Sequence, residues 1–227
     1  MTLAGLIIYL GVLPIFGVVT AQNMRRLLLS DTPPSRPSLY VNALVTQWGI
    51  VFAILLAMRA SGAPLAPIGL SVTVSLTFWA GLICVAVLYA ALLVVRARAE
   101  ASSSFRAWLL RQTPPIVRRV APATPSDLRL FAPVALTAGV CEEILFRGIP
   151  FHLLSDLPPP LVIAITAVSF GTLHLYQGRT GVIVTTVGGI LFGCLYWASN
   201  ALLPVMILHA LYNWEVARLH LLLTEAE

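Results

Sequence analysis

Long apolar runs, separated by short segments rich in polar residues and proline, dominate the chain. About seven runs are visible, at roughly residues 2–22, 39–58, 70–95, 130–154, 160–177, 181–198 and 201–222, most of them near the ~20 residues that cross a bilayer. Because lipid offers the backbone no hydrogen-bond partner, these runs predict an all-α, polytopic transmembrane helix bundle. A short or re-entrant eighth element would change the side of the membrane on which the C-terminus lies.

Composition supports a membrane protein. The 227 residues are 59% hydrophobic and 10% charged, too little charge for the surface of a soluble domain. The first run has no basic residue ahead of it, so we expect a retained helix rather than a cleaved signal peptide.

Charge between the runs orients the bundle. Arginine is concentrated in the first and third connections, whereas the second holds only Arg59. The first contains Arg25, Arg26 and Arg36, and the third contains Arg96, Arg98, Arg106, Arg111, Arg118, Arg119 and Arg129. Because positive loops remain in the cytoplasm, we predict cytoplasmic odd-numbered loops, an extracytoplasmic N-terminus and a cytoplasmic C-terminus.

The third connection also has a helical pattern, since Phe105, Trp108 and Leu109 recur at i, i+3 and i+4. This spacing fits a short amphipathic helix on the membrane surface, and the alternative is a solvated basic linker. The arginines suit anionic lipid head groups, so we expect the lipid bilayer and no nucleic acid as the partner of this region.

Ionisable and amide side chains inside the runs are concentrated after residue 130. They include Glu142, Glu143, Arg147, His174, His209 and Asn213. Because such groups are costly in lipid, each is a functional hypothesis. We therefore divide the chain into N-terminal helices with a basic loop, 1–129, and a core that carries the site, 130–222.

Helical spacing separates the two glutamates. Glu143 and Arg147 are i,i+4 neighbours in the favourable order, so we expect an ion pair that supports the structure. Glu142 is rotated by about 100° from Glu143 and is left for substrate, water or an ion.

The histidines complete the set. His174 follows Phe170 by one turn near the end of the fifth run, and His209 and Asn213 share one helical face. Three chemistries fit this set. In the first, Glu142 and one histidine activate water while His209 and Asn213 stabilise an oxyanion. In the second, Glu142, His174 and His209 bind a metal such as zinc, and in the third the groups relay protons or ions.

The order Glu-Glu-x-x-x-Arg, Phe-x-x-x-His and His-x-x-x-Asn on successive helices resembles the CPBP family, which includes type II CaaX prenyl endopeptidases and bacterial Abi proteins. The resemblance covers roughly residues 130 to 215. It implies an intramembrane protease in which Glu142 and His174 activate water and His209 and Asn213 stabilise the oxyanion or bind metal. His-Glu-x-x-His, the strongest sequence evidence for a zinc peptidase, is absent.

The resemblance also implies a site facing the cytoplasm and a membrane-associated protein or peptide as substrate. The basic residues are all arginine, with no lysine, which suits a GC-rich bacterial genome. We therefore expect a bacterial inner membrane. The alternative function is a non-proteolytic immunity or scaffold protein that keeps the site as a binding cavity.

Depth presents a conflict. Counting 1.5 Å per residue, Glu142 lies about 18 Å inside the fourth run and His174 only about 5 Å inside the fifth. These side chains form one site only if the fourth helix enters the membrane late, which we favour, or if the helices are staggered.

Overall fold

The computed structural model describes residues 2–62, 64, 68–70 and 73–224, which are largely helical and contain no strand. In chain order the helices are α1 (Thr2–Leu28, with a π-helical segment at Ile8–Val12), α2 (Arg36–Ala60), α3 (Leu76–Ala101), α4 (Ser103–Gln112), α5 (Val117–Val120), α6 (Pro125–Glu143), α7 (Ile149–Leu153), α8 (Pro159–Leu173), α9 (Gly178–Ser199) and α10 (Leu202–Thr224). A π-helical segment, Ile144–Gly148, joins α6 to α7, and a 3-10 turn, Leu175–Gln177, precedes α9. The predicted all-α fold is confirmed for the described residues.

Among the described residues, fewer helices have the length and hydropathy of a membrane span than the sequence predicts. Four segments in the described part are long and apolar enough to cross a membrane: α1, α2, α3 and Leu175–Ser199. Helix α8 is apolar but shorter. The count of about seven therefore stays a prediction. The third predicted run, 70–95, includes residues 71–72 outside the described part, and its helix begins later, at Leu76.

Capping residues define where several helices begin. Oxygens of the Ser35, Ser75, Ser102 and Thr124 side chains accept backbone N–H groups of the first turns of α2, α3, α4 and α6. These bonds satisfy N–H groups that have no partner within the helix. Prolines at the N-cap and first positions of α8 favour the beginning of that helix, because the φ of proline is already close to helical.

Helix α6 is central to the bundle and packs against α2 and α10. The approach to α10 is close at Gly139, where an added Cβ would lie 2.8 Å from Met206 O and 2.9 Å from Ala210 Cβ. Glycine therefore permits the contact between the two helices on which Glu142 and His209 lie.

The first and third connections meet at one end of the molecule, which we call the basic end. Arg36 donates from Nε to Ala121 O at 2.7 Å and from Nη2 to Arg118 O at 3.0 Å. Tyr40 donates to Val120 O nearby, also at 3.0 Å. Both arginine-rich connections thus lie on the same side, as the charge pattern predicts.

Helix α4 coincides with the pattern predicted for an amphipathic helix, so this segment is not an unstructured linker. The Phe105 and Trp108 rings stack with centroids 5.7 Å apart, and the Arg98 guanidinium lies 4.8 Å from the Phe105 centroid.

Helix α8 ends deeper than expected. Gly17 of α1 lies against the end of α8, since an added Cβ would be 3.0 Å from Thr172 O. The rise from residue 17 to Leu28, where α1 reaches the basic end, is roughly 16 Å. His174 therefore does not lie about 5 Å from that end. The reason is length: α8 has 15 residues, roughly 22 Å, and stops short of a ~30 Å hydrocarbon core.

Glu142 lies at a similar depth. It contacts Gln47 of α2, and the rise from Arg36 at the start of α2 to residue 47 is again roughly 16 Å. The conflict in depth is thus resolved by the stagger of the short α8, and a late entry of the fourth helix, which the sequence led us to favour, is not needed.

Candidate functional site

The two neighbouring glutamates end α6 and have different surroundings. The Glu143 side chain is fully buried, whereas that of Glu142 is 19% exposed. The π-helical segment Ile144–Gly148 follows directly. Such segments are rare and often occur at functional sites, because one extra residue per turn redirects the side chains around it.

Glu143 and Arg147 form a buried ion pair, as expected from their spacing. Arg147 Nη1 donates to Glu143 Oε1 at 2.9 Å, and Nη2 donates to the Gly189 carbonyl of α9 at 3.0 Å. The guanidinium also lies 5.3 Å and 5.5 Å from the Phe170 and Phe192 ring centroids. Arg147 thus ties α6 to α8 and α9 as well as neutralising Glu143.

His209 of α10 lies between the two carboxylates and is 4% exposed. Its Nδ1 is 2.5 Å from Glu143 Oε1, and its Nε2 is 3.6 Å from Glu142 Oε2. Because a carboxylate can only accept, Nδ1 carries the hydrogen in the first contact. The second distance is that of an ion pair and is too long for a direct hydrogen bond.

His174 is the C-cap of α8 and lies beside the same aromatic group. Its Nδ1 is 3.0 Å from Phe170 O. A carbonyl accepts, so this bond places the hydrogen on Nδ1 and leaves the lone pair of Nε2 available as a base. The Phe170 ring packs between the two histidines, 4.7 Å from the His174 centroid and 6.2 Å from the His209 centroid.

Asn213 lies one turn after His209 on α10 and is half-buried. Within the described residues its amide has no hydrogen-bond partner. The amide is therefore free to donate to a bound group.

Gln47 of α2 is a member of this cluster that sequence reasoning missed. Its Nε2 donates to Glu142 Oε1 at 3.1 Å, so Glu142 is not a free carboxylate. A neutral amide in the apolar half of the chain gave no signal beyond its own polarity.

A second buried acid, Glu215 of α10, was also missed. It is 3% exposed and accepts from Arg96 Nε at 2.9 Å, Arg218 Nη1 at 3.0 Å and Tyr89 OH at 3.1 Å. Its i,i+3 spacing to Arg218 is the pattern that could have revealed it. Because its oxygens are occupied by these donors, Glu215 joins α3 to α10.

The alternative set for a metal was Glu142, His174 and His209. The described part of the chain has no group of three or more His, Cys, Asp or Glu side chains placed to hold a metal ion. His209 Nδ1 is already bonded to Glu143, which leaves that ring one nitrogen for any other role. The described residues as placed therefore do not fit a three-ligand centre.

An apolar cavity of about 370 Å³ lies beside the site, between α1, α2 and the segment after Glu143. Residues that line it include Tyr9, Ile54, Leu145, Phe146 and Leu173. It therefore adds apolar surface next to the polar cluster and no further charged group.

Residues 124–214 match the family described as Rce1-like, type II CAAX prenyl endopeptidase. The match confirms the resemblance drawn from the motifs, and residues 124–214 are similar to that family. It contains all four residues to which the resemblance gives catalytic roles. No curated protein and no solved structure matches the chain.

The family match and the apolar helices together indicate an integral membrane protein. The match also supports a protease, because the family it names is one of peptidases. The division of the chain at residue 130 stays a prediction.

Proposed function

We propose that the protein is a CPBP-type intramembrane endopeptidase that hydrolyses a peptide bond with water activated by Glu142 and His174. The observation that carries the proposal is the placement of the Glu142 carboxylate 3.6 Å from His209, inside the segment that matches a peptidase family. Glu142 is also the more exposed carboxylate of the pair, so water and substrate can reach it.

In the first step Glu142 takes a proton from water while the oxygen attacks the carbonyl carbon of the scissile bond. His174 contributes the Nε2 lone pair, which the Nδ1 bond to Phe170 O leaves free to accept from the same water. The carbonyl π bond breaks and its oxygen becomes an oxyanion. The proton held by Glu142 then passes to the leaving nitrogen as the C–N bond breaks, giving an acid and an amine.

His209 and Asn213 are suited to stabilise the oxyanion. They are one turn apart on α10, and both can present an N–H group to the same point. In this role His209 is an imidazolium with a hydrogen on each ring nitrogen, so Nε2 donates to the oxyanion while Nδ1 stays bonded to Glu143. Glu143 and Arg147 fix the orientation of that ring and hold the helices around it.

The substrate of this proposal is a membrane-associated protein or peptide, cut from the cytoplasmic side of a bacterial inner membrane. Support for the orientation comes from the basic end, where Arg36 bonds to carbonyls of the third connection. Since arginine-rich loops are retained in the cytoplasm, this end is the cytoplasmic one.

The proposal is tested by comparing membranes that contain the wild type with membranes that contain Glu142→Gln. New N-termini are labelled and identified by mass spectrometry. Glu100→Gln is the matched control, because Glu100 is a half-exposed acid at the end of α3. Peptides cut by the wild type and by the control, but not by Glu142→Gln, support a protease. No new N-terminus with the wild type would favour the non-proteolytic immunity or scaffold function.

A further inference from the structure

Gln47 lies outside the matched segment and belongs to none of the three motifs, yet it contacts the carboxylate at the centre of the site. Helix α2 is otherwise strongly apolar, with a mean hydropathy of 1.9 over an 18-residue window. A primary amide in such a helix needs partners, since lipid supplies none.

Only one end of the amide has a partner. The atom 3.1 Å from Glu142 Oε1 is Nε2, because a carboxylate accepts and cannot donate. The carbonyl oxygen, Gln47 Oε1, is shielded from solvent and has no hydrogen-bond partner in the described part of the chain. Buried acceptors of this kind are uncommon, and functional sites are among the places where they persist.

The position of this amide is fixed by its neighbour. Trp48 Nε1 donates to Thr137 Oγ1 of α6 at 3.1 Å, and the Trp48 ring stacks on Phe52 with centroids 5.4 Å apart. Helix α2 is therefore bonded to α6 at two consecutive residues. The Gln47 carbonyl is held at a constant place relative to Glu142.

Resting on the proposed peptidase function, we propose that Gln47 is a positioning residue for the Glu142 carboxylate. Its Nε2 donates to Glu142 Oε1 and holds the carboxylate in one orientation. The other oxygen, Glu142 Oε2, is then left to take the proton from the attacking water, and Gln47 itself exchanges no proton.

The test uses Gln47→Met, which keeps the length and packing of the side chain and removes both polar atoms. The matched control is Asn42→Met, since Asn42 is an exposed amide on the same helix. Each purified protein is assayed in liposomes with a quenched fluorescent peptide that contains a cleavage site found for the wild type. We expect kcat of Gln47→Met to fall at least ~10-fold with KM within about twofold, because binding is kept and orientation is lost. Gln47→Asn, with both polar atoms on a shorter arm, is expected to retain more of kcat.

Three results would overturn the inference. Wild-type kcat in Gln47→Met, together with an inactive Glu142→Gln, removes the role of Gln47 and leaves the peptidase intact. A loss that equals the unfolded fraction in a thermal melt makes Gln47 structural. A wild type that cuts no peptide ends both the peptidase proposal and this one.

Discussion

Nδ1 of His209 lies 2.5 Å from Oε1 of Glu143, so a ring on α10 is bonded to a carboxylate on α6. The same oxygen accepts from Arg147. Glu143 is therefore more than the partner of a structural arginine. It also fixes the hydrogen of His209 on Nδ1 and aims Nε2 at Glu142, the residue to which we assign water activation.

Removal of the Arg147 charge is expected to destabilise the fold. Arg147→Met removes one member of a buried ion pair and leaves Glu143 with only the His209 contact, and such a loss costs about 3–5 kcal/mol. The melting temperature of Arg147→Lys should lie between those of the wild type and Arg147→Met, because a single ammonium cannot reproduce the planar fork toward Glu143 and Gly189. The measurement is a thermal melt in detergent. Arg111→Met, which changes an exposed arginine of α4, is the control, and an equal shift in both variants would contradict the assignment.

Truncation of Asn213 tests the oxyanion site. Asn213→Ala should lower kcat by about 10²- to 10³-fold with little change in KM, because the amide acts on the charge that develops in the transition state. The kinetics of Asn42→Ala should match those of the wild type. A higher KM at unchanged kcat would instead show that Asn213 binds substrate in its ground state.

Gly139 controls how closely α6 approaches α10. In Gly139→Val the new side chain meets Met206 O at 2.8 Å, so the helices must separate, at a cost of about 1–3 kcal/mol. We expect a lower melting temperature and a loss of kcat, since Glu142 and His209 move apart. Gly188→Val is the matched control, because an added Cβ there meets nothing within 4 Å. Equal melting temperatures for the two variants would contradict the predicted clash.

Substitution of Glu215 should change the stability of the fold without changing its activity. Glu215→Gln removes the charge shared by Arg96 and Arg218, which are partly exposed, so we expect a cost of about 1–3 kcal/mol. Activity per folded molecule should be unchanged, since these groups hold α3 to α10 and do not contact Glu142. A selective loss of kcat without a change in the melt would place Glu215 in the site.

Apolar runs predicted the positions of the helices well because length and hydropathy are local properties. The Glu143–Arg147 contact was predictable for the same reason, since i,i+4 spacing places both side chains on one face. The end of α8 was not. Apolar residues continue past Leu173, but His174 turns back to bond Phe170 O and the helix stops.

Contacts between distant helices account for what the sequence did not reveal. Gln47 reaches Glu142 only because Trp48 and Thr137 join α2 to α6. The placement of His209 between Glu142 and Glu143 depends in the same way on the close approach at Gly139. Both relationships join residues on different helices, so no periodicity or spacing within one segment of the sequence could predict them.

The central claim is that Glu142 and His174 together activate water for peptide hydrolysis. The most direct measurement is the cleavage rate of the identified peptide by purified Glu142→Ala and His174→Ala in liposomes, with melting curves that show each variant is folded. We predict that both variants fold and insert as the wild type does and that neither cuts the peptide. Retained cleavage in both would contradict the mechanism.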